Sequence, residues 1–133
     1  MPKKIIWIED DVEIIRPVVR PLERAGYSIV SYQTAKDVFE NIAQLHEADV
    51  IILDIFIPHG GVDVELSRYT GVDIFEILKL EHQLTTPVIV LTVVAREEVR
   101  KRLRDLGVAD IVRKPVRPSE LKERIELILE EAE

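Results

Sequence analysis

Apolar residues gather in five short runs: Ile5-Ile6-Trp7-Ile8, Tyr27-Ser28-Ile29-Val30, Val50-Ile51-Ile52-Leu53, Val88-Ile89-Val90-Leu91 and Ile111-Val112. Three of them are continuous and β-branched, with no polar alternation. A strand reads this way when both faces are covered, as in a parallel sheet, and runs of about four residues are short for buried helices. Between the runs the apolar spacing changes to three and four. Val12, Ile15, Val19 and Leu22 form one such stripe, and Ala35, Val38, Phe39 and Ile42 a second. Ala95, Val99, Leu103 and Leu106 form another, as do Leu121, Ile125, Ile128 and Ala132. These are helical faces. A further segment, Val72 to Leu80, is apolar with less clear periodicity. Thr34 and Ser119 stand where helix N-caps are expected, and Gly26 and Gly107 where helices stop.

The alternation predicts an α/β fold of (βα)5 type, a doubly wound three-layer sandwich in which right-handed helical crossovers join parallel strands. It fills residues 1–133 as one domain, without repeat or linker. The longest irregular stretch runs from Pro58 to about Thr70. Pro17 and Pro21 conflict with the first helical stripe, because an interior proline removes a backbone bond at a cost of ~3 kcal/mol or more. Two readings stay open: a helix that starts late, near Pro17, or one that is kinked.

Composition narrows the class. With 133 residues, 47% apolar and 32% charged, the chain has material for a core and a solvated surface, unlike a disordered, collagen-like or disulfide-stapled chain. It holds no cysteine, which excludes disulfides, thiolate zinc sites and Cys nucleophiles. No apolar run approaches the roughly 20 residues of a membrane span, and Met1-Pro2-Lys3-Lys4 does not open a signal peptide, so a cytoplasmic location is expected. The net charge of −7 argues against broad nucleic-acid binding and gives no reason to expect direct contact with nucleic acid.

Open parallel sheets bind ligands beyond the carboxyl ends of their strands, at the point where strand order reverses. Glu9, Asp10 and Asp11 follow the first run, Asp54 the third, Thr92 the fourth and Lys114 the fifth. Singly these are ordinary caps, turn residues and surface charges; together, at four strand ends, they form a coherent set. Clustered carboxylates invite a hard divalent cation such as Mg²⁺. A carboxylate can become an aspartyl-phosphate, and an ammonium and a hydroxyl can hold phosphoryl oxygens.

At this point the chain resembles the receiver domain of two-component response regulators. The residues that carry the resemblance are Ile8-Glu9-Asp10-Asp11, Ile52-Leu53-Asp54 with Pro58 four residues on, Val90-Leu91-Thr92, and Lys114-Pro115. The resemblance covers essentially the whole chain and implies a flavodoxin-like sheet of order 2-1-3-4-5. It implies that Asp54 is the phosphoacceptor, and that Glu9 and Asp10, with Asp54 and the backbone carbonyl of Phe56, hold Mg²⁺ (or Mn²⁺). Thr92 matches the switch hydroxyl and Lys114 the phosphate-pairing lysine, with a cis Lys114-Pro115 bond. Asp11 is read as a helix N-terminal residue. The implied partners are a histidine kinase or phosphotransfer protein, and downstream a protein target or a second copy of the chain. Both would use the face made by the fourth helix, fifth strand and fifth helix. No membrane partner is implied.

Three departures from the family pattern stand out. Ile111 occupies a position where receivers commonly carry Tyr or Phe. Val93 follows Thr92 where a small residue is usual. The stretch after Pro58 is longer by roughly nine residues, beyond an ordinary β–α connection, and the glycine that opens the third helix falls at Gly71. That stretch is either a surface elaboration or a lid or docking loop beside the site. Val62, Val64 and Leu66 alternate with acids, which admits a short strand, and His59 is near enough in sequence to approach the pocket.

A phosphorylation-dependent switch is the reading this supports. A phosphorylation-independent interaction module is the alternative, suggested by Ile111, Val93 and the long stretch. A turnover phosphatase of the haloacid-dehalogenase kind needs a second Asp where Phe56 stands, and a P-loop enzyme needs a Gly-Lys run that is missing. No output domain is expected in this chain, which is either a stand-alone receiver or part of a longer protein.

Arg96 to Arg117 carries eight basic and four acidic residues, whereas Ser119 to Glu133 carries six Glu against Lys122 and Arg124. The two helices are either ordinary solvated faces or complementary halves of a symmetric dimer. Pairing in a dimer predicts that reversing the charge at Arg100 and Arg104 weakens dimerisation of the phosphorylated form; unchanged sedimentation excludes it.

Overall fold

The computed structural model of the chain describes residues 2–62, 64–93 and 96–131. Five strands, β1 (Lys4–Ile8), β2 (Ser28–Tyr32), β3 (Val50–Asp54), β4 (Val88–Thr92) and β5 (Asp110–Arg113), form one parallel sheet of order β2-β1-β3-β4-β5. The helices are α1 (Val12–Arg24), α2 (Ala35–Phe39), α3 (Ile42–Glu47), α4 (Thr70–Leu80), α5 (Glu97–Asp105) and α6 (Pro118–Glu131). This is the expected (βα)5 sandwich with its expected strand order.

The unbroken apolar runs follow from cover on both faces. Ile5, Trp7, Val50, Ile52, Ile89 and Leu91 pack with Ile15, Val18 and Leu22 of α1 and Leu121, Ile125 and Ile128 of α6. Their neighbours Ile6, Ile8, Ile51, Leu53, Val88 and Val90 pack with α2 to α5 on the other side. Every residue of β3 and β4 is buried. Burying one such side chain contributes roughly 1.5–3 kcal/mol, so the two clusters dominate the stability of the fold.

Local expectations divide. Thr34 caps α2 and Asp11 caps α1, each side chain accepting a backbone N–H. Gly26 and Gly107 follow helix C-caps with φ of 97° and 85°, where a side chain would be strained. Ala95 and Ala132, the outer members of two stripes, lie outside the described residues.

The first helix does not start late: α1 is continuous through Pro17 and Pro21. The bonds lost are those to the carbonyls of Glu13 and Pro17, two exposed residues that water can serve. The second stripe is two helices, not one. Asn41 leaves helical geometry (φ −130°, ψ 34°), and its side-chain amide donates to the Asp37 carbonyl at 2.7 Å. A side chain that serves the backbone in this way competes with the helical ladder. Ser119 is not an N-cap, because α6 opens one residue earlier at Pro118, where a proline's missing N–H does no harm. The alternating Val62-Val64-Leu66 stretch is not a strand among the described residues. Val62 and Leu66 pack against the core, while Val64 is exposed.

Gly71 fixes how closely α4 approaches the sheet. Its N–H donates to the Ile55 carbonyl at 2.7 Å, and a Cβ there would sit 2.1 Å from the Asp54 carbonyl oxygen. Gly71→Ala should therefore destabilise the protein by about 1–3 kcal/mol or more through overpacking, against a helix-propensity gain of about 1 kcal/mol. Denaturant unfolding measures the balance, and a stabilised variant would contradict the close approach.

Candidate functional site

The reversal of strand order lies between β1 and β3, and the candidate residues flank it. Glu9 and Asp10 follow β1, and Asp54 ends β3. The Glu9 N–H donates to the Tyr32 carbonyl at 3.0 Å, which ties the turn after β1 to the end of β2. Carboxylate oxygens of Glu9, Asp10 and Asp54 lie within 4.8 Å of one another. Glu9 and Asp54 are buried, whereas Asp10 is exposed.

The other two candidates arrive from the far side of the sheet. Asp54 pairs in register with Leu91, so Thr92 is the next residue along β4; it is buried. The Lys114 N–H donates to the Thr92 carbonyl at 3.0 Å, and the Lys114-Pro115 bond is cis. The Lys114 ammonium then reaches over the strand ends to Glu9 Oε1 at 2.8 Å and Asp54 Oδ2 at 3.4 Å. Asp54 Oδ1 accepts the Ile55 N–H at 2.8 Å. Glu9, Asp10, Asp54, Thr92 and Lys114 thus meet at one edge. Phe56, whose carbonyl completes the expected set, lies two residues beyond Asp54 and is 42% exposed.

One lysine faces two buried carboxylates, and the charge does not balance. Burial, and then the neighbouring Asp54, push the Glu9 carboxyl up to about 8, against the pull of Lys114. Burial pushes Lys114 down, but Glu9 and Asp54 outweigh it and hold the ammonium above its ordinary value. Among the described residues no donor reaches the buried Glu9 Oε2, whose carboxyl instead crowds that of Asp54. An orphaned carboxylate oxygen in an all-oxygen donor set, with excess negative charge, fits a hard divalent cation.

The long stretch after Pro58 is bound to the body of the protein. The Pro58 and His59 carbonyls accept the Ala35 and Lys36 N–H groups at the start of α2. His59 does not reach into the acid cluster; its Nε2 lies 3.0 Å from Thr70 Oγ1. Val93 is 60% exposed and, with Trp7, Pro17, Leu91, Lys114 and Pro115, lines an apolar cavity of about 550 Å³ beside the site. Ile111 is half-buried against the core cluster on the α5 side of the sheet. The sequence offered no sign that Tyr69 would meet Phe56, with ring centroids 5.9 Å apart; an aromatic just ahead of the helix-opening glycine is the only trace of it.

The family model for the response regulator receiver domain matches residues 5–126, and the chain belongs to that family. It is 32% identical over 132 residues to the phosphate regulon transcriptional regulatory protein PhoB of Escherichia coli, covering 97% of this chain and 52% of the relative. It is 26% identical over 133 residues to the alkaline phosphatase synthesis transcriptional regulatory protein PhoP of Bacillus subtilis, covering 100% and 51%. The chain therefore spans about half the length of these relatives. Among solved structures, a CheY-like receiver domain protein from Methanospirillum hungatei matches with a TM-score of 0.79 and 25% identity, covering 98% of this chain and 96% of that one. The receiver domain of a LuxO repressor protein from Vibrio parahaemolyticus matches with a TM-score of 0.82 and 22% identity, covering 99% and 93%. Receiver domains of this family serve two-component signalling. No helix among the described residues is long and apolar enough to cross a membrane.

A carboxyl whose folded pKa lies above its unfolded value favours the fold in its protonated form. In the metal-free protein the contribution of Glu9 to stability should be fully present at and below the ordinary Glu value of 4.5, and should be lost as pH rises from there to about 8. Urea unfolding with chelator across this range measures the slope. Glu9→Gln should flatten it, and an equally steep variant would reject the assignment to Glu9.

Proposed function

We propose that this chain is a single receiver unit, residues 1–133, that takes a phosphoryl group from a histidine kinase or phosphotransfer protein onto Asp54 and acts as a signalling switch. The observation that carries the reading is the ammonium of Lys114 shared between Glu9 and Asp54 at the point where strand order reverses. Glu9, Asp10, Asp54 and the Phe56 carbonyl are the groups that would hold Mg²⁺. When bound, the cation supplies charge neutralisation for the carboxylates and for phosphoryl oxygens.

The remaining steps belong to the chain's own residues. Asp54 Oδ1 is occupied by the Ile55 N–H, and Oδ2 faces Lys114, so Oδ2 is the oxygen that attacks phosphorus. The new P–O bond forms as the P–N bond to the donor's imidazole breaks, and the imidazole leaves with the bonding electron pair. Lys114 moves its charge from a carboxylate oxygen to a phosphoryl oxygen. Thr92, buried at the end of β4, supplies a hydroxyl to another. The new state is then read by a partner or a second copy through α5, β5 and α6.

Ile111 gives this receiver an aliphatic side chain at the position where an aromatic usually follows the hydroxyl, so the shift must pass through packing against α5 rather than through a swinging ring. A downstream protein or a dimer partner, a cytoplasmic setting and the absence of direct nucleic-acid contact complete the proposal.

Intact-mass measurement after incubation with a small-molecule phosphodonor and Mg²⁺ tests it. A single phosphoryl adduct should form, should depend on Mg²⁺, and should be lost in Asp54→Asn. An adduct that persists in that variant would remove Asp54 from the role.

A further inference from the structure

The stretch from His59 to Tyr69 is unused by the proposed chemistry, yet it is built against the site. At its near end Gly60 (φ 76°) lies so close to α2 that a Cβ would come within 2.7 Å of the Thr34 hydroxyl. At its far end the Ser67 N–H and hydroxyl donate to Asp73 at 2.6 and 2.7 Å. Asp73 in turn receives Arg102 of α5 at 3.2 Å. Thr70 Oγ1 donates to the Ser67 carbonyl at 3.2 Å and meets His59 at 3.0 Å.

Tyr69 emerges from this frame against Phe56, ring to ring at 5.9 Å and tilted by 46°. The Arg68 guanidinium lies 5.0 Å from the Tyr69 ring centroid and donates to its hydroxyl at 3.0 Å. The Tyr69 carbonyl accepts the Val72 and Asp73 N–H groups, so the backbone under the ring is part of the opening of α4. Two residues on, the Gly71 N–H holds the Ile55 carbonyl at 2.7 Å. The Ile55-Phe56 segment is thus gripped by a backbone bond at one residue and by an aromatic contact at the next. Phe56 is itself 42% exposed, so the Tyr69 ring covers part of a residue that stands partly open to solvent.

From this juxtaposition we infer that Tyr69 is a positioning residue for the cation pocket: its ring holds Phe56, and through it the Phe56 carbonyl, in the ligand set. The inference rests on the proposed reading of the pocket. Groups behind a metal ligand orient it, and their loss weakens metal binding without removing a donor. An aromatic pair of this geometry is directional enough to do so.

Calorimetric titration with Mg²⁺ of the wild type, Tyr69→Ala, Tyr69→Phe, Phe56→Ala and the double alanine variant tests it. Tyr69→Ala should weaken Mg²⁺ binding about tenfold, within the range for groups behind a ligand. Tyr69→Phe, which keeps the ring, should stay within about twofold of wild type on the same scale. Tyr69→Ala should have no further effect once Phe56 is alanine, because the two act as one unit. Tyr69→Leu replaces Tyr69→Ala if thermal unfolding without Mg²⁺ shows that the smaller side chain loosens the fold. Unchanged affinity in the variant lacking the ring, or an undiminished loss in the double variant, overturns the inference. A wild-type protein that takes up no Mg²⁺ would overturn the reading of the pocket itself, before any Tyr69 variant is compared.

Discussion

The half-buried ammonium of Lys114 is the interaction on which the site depends. It stands between Glu9 and Asp54, residues from two other strands, and it alone supplies positive charge to them among the contacts described. Removing a charge from water is tolerable only when it is paired, and removing one member of a buried pair strands the other. Lys114 therefore links the ends of three strands, and it neutralises them incompletely. One carboxylate oxygen is left over, and Glu9 is driven toward its neutral form. The fold tolerates a local electrostatic deficit that a cation, a proton or a phosphoryl group's partners can relieve. A fully neutralised cluster would be more stable and would have nothing to respond to.

The second constraint is steric. The start of α4 lies against the end of β3 with no room for a side chain at Gly71. The carbonyl of Asp54 is what a Cβ would strike. The chain just after Asp54 and the start of α4 are also joined directly, by the bond from the Gly71 N–H to the Ile55 carbonyl. From there Asp73 and Glu76 hold Arg102, so α5 is connected to the site through ion pairs as well as through Ile111 and the sheet.

Much of this was legible in the sequence. The five apolar runs carry the sheet, because a doubly covered strand needs no polar face, and the acids, hydroxyl and lysine after four of them carry the site. What was not legible depended on contacts distant in sequence or on local competition. No periodicity reveals that Asn41 would take the Asp37 carbonyl and divide a helix, or that Pro118 would start α6 ahead of Ser119. The long stretch reads as a surface elaboration or as a lid or docking loop, yet its Pro58 and His59 carbonyls serve amides more than twenty residues earlier, and Tyr69 reaches Phe56 across thirteen positions. The positions are in the sequence; the pairing exists only once the sheet has formed.

The charge asymmetry between α5 and α6 has a similar limit. Several of the cations that make α5 basic are already engaged inside the chain: Arg102 with Asp73 and Glu76, Arg104 with Glu97, and Lys101 with Asp105. On the other helix Arg124 is held by Asp110 and Glu120. Exposed pairs of this kind are worth roughly 0–1 kcal/mol each, so exchanging one for a pair across a dimer is close to neutral. Charge on these helices can select the orientation and rate of an encounter, but it cannot hold a dimer together. A stable interface on this face has to draw its affinity from apolar contact, and of the large apolar side chains there Leu127 stands 58% exposed on α6.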